Sequence, residues 1–364
     1  MVFGHSGGGC QLSDMLKFAI PVYIFVSRLN ISSPNSDMPA MLTVLYVMCK
    51  WSECHENHED SQSFGIVCLF VAWAVCVKLS AATGMVLILY PAVMLIKEKR
   101  WKTIVVDLVS GIIIVVPWLI RNVIISGYLL YPYSGIDLFS FDWKMPAEIV
   151  DYDRKEIVVW GRAVKDVSRF DEPIMQWIGT WLSSQMLRDK IIILAGFLAT
   201  FILIIVIFIK MIGKFRNKNS IKFFLSDILE WLLIITMIIS EVFWLFSAPQ
   251  VRFGAVYLLM PAAVVVYLIK ELMGEYRFRR WAAIAMTFMV SLFFLRNDED
   301  FRLITPHRYW KIDNAEIDWY GFEIYKADQA NLSGYDYFPV VTYESVLDNI
   351  VPRGDRLEDG FKVR

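Results

Sequence analysis

Four ionisable side chains lie where apolar segments of the chain meet polar turns: Asp37, Lys78, Arg121 and Arg252. Lysine and arginine at a partly dry site bind phosphate oxygens through charge-assisted hydrogen bonds, and arginine can engage two oxygens at once. An aspartate beside them can accept the proton of a sugar hydroxyl as a general base. The residue types therefore predict a phosphate clamp of Lys78, Arg121 and Arg252, with Asp37 at its edge as the candidate catalytic group.

A simpler interpretation is open for each cation. A long basic side chain at the end of a membrane helix can extend to the lipid headgroups or pair locally. Charges at membrane depth are costly, so several on one side of the bilayer favour a shared site. Three polar residues of the segment after Arg121 are further candidates for that site: Asn122, Asp137 and Asp142. Asp37 is also expected to cap the helix that starts there.

The composition places these residues in a membrane protein. Hydrophobic residues make up 57% of the chain, the mean hydropathy is +0.48, and several apolar runs approach the ~20 residues that a helix needs to cross a bilayer. The formal net charge of −1 gives no reason to expect a nucleic-acid partner. We therefore predict an all-α integral membrane protein, a polytopic bundle of about nine spans.

Basic linkers orient this bundle. Segments 97–102, 210–222 and 270–280 are rich in Lys and Arg and are expected in the cytoplasm. Counting spans from them places the N-terminus in the cytoplasm, and the loop near Trp160 and the tail near Tyr335 outside an inner (plasma) membrane. The predicted regions are N-terminal spans (1–120), an extracytoplasmic loop (121–190), C-terminal spans (191–295) and a small extracytoplasmic tail (296–364). The loop is expected to contain an interfacial helix at 174–186, and the tail two short strands at 320–325 and 338–343.

Segment 64–96 is too long for one membrane helix. About 33 residues would span ~50 Å and leave Lys78 near the middle of the bilayer. A hairpin of two short helices, broken near 80–83, brings the lysine to an interface. We therefore predict the hairpin.

Cysteines and histidines predict neither a disulfide framework nor a metal site. The five cysteines are scattered among apolar residues, as buried small hydrophobes are. Cys54, His55 and His58 have no second cluster to complete a zinc site, so their segment is expected to be a solvated linker. A divalent metal cofactor is left open.

Several segments resemble the polytopic type-C glycosyltransferases, in particular the branch of the dolichyl-phosphate-mannose and aminoarabinose transferases. The similar segments are SSPNSDMPAML (32–42), VKLSAATGMVLILYP (77–91) and QVRFGAVYLLMP (250–261), and PWLIRNVIISGYLLYP (117–132) and FDWKMP (141–146) resemble bacterial envelope proteins grouped with that superfamily. The resemblance implies a family 39-like enzyme of envelope polysaccharide or glycolipid assembly. Its partners would be membrane lipid, a polyprenyl-phosphate-linked sugar donor and a glycan or lipid acceptor.

One departure limits this expectation. Enzymes of that superfamily carry an acidic pair in a long first outer loop, whereas segment 30–37 is short and has no such pair. Either the chain is a member shortened at its N-terminus, or it is not a standard catalyst. A transporter or flippase for a lipid-linked sugar and a non-catalytic membrane subunit are therefore the alternatives.

Overall fold

The protein is mainly α-helical and divides into two compact units. The computed structural model describes residues 10–27, 35–216, 228–296, 313–327, 337–341 and 344–364. The first unit comprises Met1–Trp118 and Lys155–Ser291, and the second comprises Leu119–Arg154 and Leu292–Arg364. The predicted loop is thus divided at Arg154.

Apolar periodicity produces the helices, and short polar turns separate them. In chain order the helices of the described residues are α1 (Leu12–Ser27), α2 (Asp37–Glu56), α3 (Gly65–Val77), α4 (Leu89–Lys97), α5 (Trp101–Ser126), α6 (Ala147–Gly161), α7 (Ile174–Ser184), α8 (Leu187–Arg216), α9 (Ile228–Ser247), α10 (Val251–Met273) and α11 (Glu275–Arg296).

Five helical segments of the described residues are long and apolar enough to cross a membrane: Leu79–Lys97, Trp101–Ser126, Leu187–Ile209, Leu229–Ser247 and Val251–Met273. They correspond to five of the about nine predicted spans. The shorter apolar segment Ser61–Val77 precedes them. The count of nine therefore stays a prediction, and so does the sidedness.

The predicted hairpin is confirmed, with its break slightly earlier than expected. Helix α3 ends at Val77, and Lys78 is extended, with φ −154° and ψ 121°. The chain then returns as a 3-10 helix, Leu79–Ile88, followed by α4. The two arms lie side by side: a Cβ added at Gly84 in the second arm would be 3.7 Å from the Val71 side chain in the first.

Polar side chains close the open end of the hairpin. Ser61 Oγ donates to Glu98 Oε2 at 2.6 Å, and Arg100 pairs with Asp60 at 2.7 Å. The hydrogen bond from Arg100 holds the pKa of the Asp60 carboxyl below its ordinary value. The hairpin is therefore anchored at its base and turns at Lys78.

The core of the first unit is formed by α1, α2, α3, α8, α9 and α10 around large aromatic side chains. Trp51 is 1% exposed and donates from Nε1 to the Leu229 carbonyl at 3.1 Å. Trp181 donates to the Pro249 carbonyl at 2.6 Å, and its ring centroid is 6.0 Å from that of Trp244. The apolar stripe of α7 thus packs against protein through Trp177 and Trp181.

The expected solvated linker after α2 is wrong at its start. Helix α2 continues through Glu56, and the Cys54 side chain within it is fully buried, with its Sγ donating to Glu59 Oε2 at 3.4 Å. His55 Nε2 lies 3.4 Å from Glu230 Oε1. The burial of Cys54 and the contact of His55 with Glu230 pack this end of α2 against the protein, in a segment whose polarity predicted a loop.

The second unit combines part of the predicted loop with the tail. Strands β1 (Asn314–Trp319) and β2 (Phe322–Ala327) are antiparallel, and β3 (Val340–Val341) adds in parallel. Strands β4 (Ile350–Pro352) and β5 (Phe361–Val363) form a second, antiparallel pair. Trp319, Ile324 and Leu347 form a small core.

Some sequence-based predictions fall outside the described residues. The basic linker 210–222 and segment 30–37 are described only in part, and the position of Tyr335 is not among the described residues. Tyr320 lies in the turn after β1 and not at the start of a strand.

Candidate functional site

Asp37 is the first residue of α2 and lies at the centre of a charged group. Its backbone N–H donates to Asn35 Oδ1 at 2.9 Å, and only 9% of the residue is exposed. The expected capping role is wrong: Ser36 is the N-cap and makes no side-chain cap bond. The Asp37 carboxylate turns instead toward two cations.

The first cation is Lys78, at the turn of the hairpin. Its Nζ donates to Asp37 Oδ1, and the same atom lies 3.8 Å from the centroid of the Phe253 ring. Helix α3 ends just before Lys78, and the extended backbone of Lys78 directs its side chain toward Asp37 and Phe253. An ammonium over an aromatic face is stabilised electrostatically.

The second cation is Arg252, the second residue of α10. Its Nε lies 3.8 Å from Asp37 Oδ2, and its Cζ lies 4.4 Å from the Phe253 ring centroid. Its side chain is 52% exposed, against 21% for Lys78 and 12% for Asp37. Arg252 is therefore the member of the group that is accessible to a ligand.

The position of Asp37 differs from that in the predicted clamp. Asp37 lies between Lys78 and Arg252, and not at the edge. Two cations and one carboxylate leave a formal charge of +1 on these three side chains. We call Asp37, Lys78, Arg252 and Phe253 the cation cluster.

A cavity of about 310 Å³ adjoins the cation cluster within the first unit. Arg252 and Phe253 belong both to the cluster and to the cavity lining. Two further elements contribute, the last turns of α6 and the turn before α10. The remaining lining residues are Glu156, Ile157, Trp160, Gly161 and Gln250.

Arg121 stays a prediction. It belongs to the second unit, in the last part of α5, and its side chain is exposed. The cation cluster therefore contains two of the three predicted cations, Lys78 and Arg252.

The three loop candidates have partners within the second unit. Asn122 Nδ2 donates to the Leu129 carbonyl at 2.9 Å, Asp137 pairs with Lys144, and Asp142 pairs with Arg353 at 2.5 Å. These contacts shape the loop after α5 and tie it to the tail. The contacts show a structural role for the three residues, and their part in a shared site stays a prediction.

Among the described residues, no group of three or more His, Cys, Asp or Glu side chains is arranged to hold a metal ion. Cys54 and His55 point to different partners, Glu59 and Glu230.

Four residues that line the cavity were not predicted as site residues from the sequence: Glu156, Trp160, Gln250 and Phe253. Aromatic residues make up 15% of the chain, so no single one stands out. Gln250 and Phe253 flank Arg252 inside a segment that the sequence did single out. Glu156 and Trp160 are four residues apart on a helix, a spacing that puts both on one face.

The fold and the charged group define the class: a mainly helical protein whose described residues include five helices long and apolar enough to cross a membrane, and an aromatic-lined cluster of cations. A family model described as a domain of unknown function (DUF8201) matches residues 7–259, more than half of the 364-residue chain. The chain belongs to that family. No curated protein and no solved structure matches the chain.

Proposed function

We propose that the cation cluster binds the phosphate of a lipid carrier, and that the protein is a glycosyltransferase-like membrane protein using a polyprenyl-phosphate-linked sugar. The supporting observation is the exposed Arg252, held beside Lys78 on the Phe253 ring. A single phosphate would balance the formal charge of +1 on the three ionised side chains. In a partly dry site its oxygens gain strong charge-assisted hydrogen bonds.

Phe253 and Asp37 would keep the two cations in place before the ligand arrives. The carboxylate pairs with both cations, and the ring lies within 3.8 Å of one and 4.4 Å of the other. Preorganised groups lose little conformational entropy on binding, so more of the interaction energy appears as affinity. Asp37 is accordingly proposed as a positioning residue.

In the transferase, a hydroxyl of a glycan or lipid acceptor would attack the anomeric carbon of the donor sugar. The bond from that carbon to the phosphate oxygen breaks, the phosphate keeps the electron pair, and the acceptor proton passes to a base. Lys78 and Arg252 would stabilise the charge that develops on the leaving phosphate. The reaction would take place at the extracytoplasmic face of the inner membrane.

A non-catalytic lipid-binding subunit is the second candidate. The observation that favours it is the pairing of Asp37 with Lys78 and Arg252, because each oxygen of the carboxylate faces a cation and not an acceptor hydroxyl. Assay of sugar transfer by the purified protein separates the two candidates. Transfer supports the enzyme, and tight lipid binding without transfer supports the subunit.

Binding of a long-chain polyprenyl phosphate to the full-length protein in nanodiscs tests the phosphate site. Arg252→Ala should weaken binding about tenfold or more, the effect of losing a hydrogen bond to a charged group. Arg252→Lys should recover only part of the loss, since an ammonium cannot engage two phosphate oxygens in parallel. Arg121→Ala tests the remaining predicted cation in the same assay.

A matched control is Arg169→Ala, which removes an exposed arginine that pairs with Glu172 at 2.6 Å. It should leave lipid binding unchanged. Inorganic phosphate, tested separately, distinguishes a lipid headgroup from free phosphate as the ligand. Equal affinities of the wild type and Arg252→Ala for polyprenyl phosphate would overturn the proposed site.

A further inference from the structure

The cavity beside the cation cluster has the chemistry of a sugar site. Its volume of about 310 Å³ is at the lower end of the range of small-molecule pockets, ~300–1,000 Å³. Its lining combines apolar and aromatic side chains with a few polar groups, as ligand sites do. The polar groups are one carboxylate, one amide and one guanidinium.

Two of these residues connect the cavity to the proposed phosphate site. Arg252 lines the cavity, and its Nε lies 3.8 Å from Asp37 Oδ2. Phe253 lines the cavity and also carries the Lys78 ammonium at 3.8 Å from its ring centroid. A group bonded directly to a phosphate at the cluster is therefore within reach of the cavity.

The opposite wall is formed by α6. Trp160 is 46% exposed, and its backbone carbonyl accepts a hydrogen bond from Gln250 Nε2 at 3.4 Å, which ties the helix to the turn before α10. Glu156 lies one helical turn before it and lines the same cavity. Trp160, Glu156 and Gln250 thus line one cavity, and their side-chain types suit a sugar: an indole for the C–H groups of the ring, and oxygen acceptors for its hydroxyls.

We propose that this cavity binds the sugar ring of the lipid-linked donor, with Trp160 as the apolar surface and Glu156 as the acceptor of its hydroxyl hydrogen bonds. The inference rests on the proposed function, because it assigns the sugar to the cavity and the phosphate to the cation cluster. It places a second carboxylate, Glu156, at the donor site in addition to Asp37, whereas segment 30–37 has no acidic pair.

The close packing of α6 makes the site a built feature of the first unit. A Cβ added at Gly161 would lie 2.6 Å from the Ala248 Cα, so the end of α6 is pressed against the turn that precedes Arg252. Arg162, the next residue, is 9% exposed and donates from Nη2 to the Phe246 carbonyl at 3.3 Å. The two walls of the cavity are therefore fixed to each other.

The test compares two ligands of the full-length protein in nanodiscs: a polyprenyl phosphate without sugar and the same lipid carrying glucose or arabinose. Trp160→Ala should weaken binding of at least one sugar-bearing lipid about tenfold and leave the bare lipid within twofold. Glu156→Gln should likewise act on the sugar-bearing lipid alone. Trp101→Ala is the matched control, since Trp101 is 59% exposed and does not line the cavity.

The outcomes separate this inference from the proposed function. If Arg252→Ala weakens both lipids but Trp160→Ala weakens neither, or weakens both equally, the sugar site is wrong and the phosphate site stands. If the wild type binds neither lipid, the proposed function fails and the sugar site fails with it. Tighter binding of the sugar-bearing lipid that is lost selectively in Trp160→Ala supports both.

Discussion

At the scale of single residues, Glu241 stands apart from the surface ion pairs because it is buried in the apolar part of α9. It is 2% exposed, Oε2 accepts a hydrogen bond from Thr200 Oγ1, and Oε1 has no partner in the described structure. A polar group buried without partners costs free energy that a paired group does not. The Thr200 hydroxyl is thus the group that makes this carboxyl tolerable between α8 and α9.

We predict that Thr200→Val lowers the apparent melting temperature of the detergent-solubilised protein. Removing the donor leaves both carboxyl oxygens unpaired, a loss of roughly 1–3 kcal/mol of unfolding free energy. Thr287→Val is the control, because Thr287 is exposed and donates only to the Ala283 carbonyl of its own helix. In a Glu241→Leu background the Thr200 substitution should have little further effect, and an undiminished effect there would contradict the pairing.

What the sequence reveals at this scale depends on how rare a residue is in its surroundings. Lys78 and Arg252 could be singled out because cations are unusual among apolar segments. Trp160 could not, since tryptophan and other aromatics are frequent throughout the chain. The central position of Asp37 could not be predicted from the sequence either. An aspartate at a helix start is expected to cap that helix, but here its carboxylate pairs with cations that are distant in the sequence.

At the scale of elements, the contact of α6 with the turn before α10 determines the geometry of the candidate site. Gly161 ends α6, and its Cα faces the backbone of Ala248. A side chain at this position meets backbone atoms, which cannot rotate away as the end of a flexible side chain can.

Gly161→Ala should therefore destabilise the protein by about 1–3 kcal/mol, the usual range for overpacking, and lower its apparent melting temperature. Gly179→Ala, in α7, has nothing within 4 Å of the added Cβ and should be neutral or stabilising by up to ~1 kcal/mol, since alanine favours helix. Equal melting temperatures for the two variants would show that α6 does not press on this turn.

The hairpin was predictable from length and charge, because a helix of segment 64–96 is too long for a bilayer and a lysine near its middle is costly. The position of its break was less so. The sequence favoured a break at 80–83, a stretch of small residues that precedes Gly84, whereas the chain turns at Lys78 itself. The pairing of Lys78 with Asp37, 41 residues away, favours a break at Lys78, and such a long-range contact cannot be read from the local sequence.

At the scale of the whole molecule, contacts within the second unit restrict the membrane topology. The Val363 N–H donates to the Asp142 carbonyl at 2.8 Å, and Arg353 pairs with the Asp142 side chain at 2.5 Å. Residues in contact must lie on one side of the membrane. The chain between them must therefore cross it an even number of times.

Among the described residues between Asp142 and Arg353, three helices are long and apolar enough to cross: those at Leu187–Ile209, Leu229–Ser247 and Val251–Met273. We predict that helix α11 supplies the fourth crossing that an even number requires. Its apolar part, 281–295, would span only about 22 Å, so the bilayer would have to thin locally around it. Its N-terminal turns are polar, which lowers its hydropathy below that of the other three helices.

We predict that residues 138 and 362 are labelled from the same side of the membrane. In a variant lacking the five native cysteines, Leu138→Cys and Lys362→Cys should both react with an impermeant maleimide on intact cells. Lys97→Cys, before α5, should react only after permeabilisation, since one crossing separates it from residue 138. Labelling of 138 and 362 from opposite sides would mean that α11 does not cross and would contradict the Asp142 contacts. Labelling of both only after permeabilisation would preserve the even count, reverse the orientation expected from the basic linkers, and put the cation cluster's proposed extracytoplasmic donor site in question.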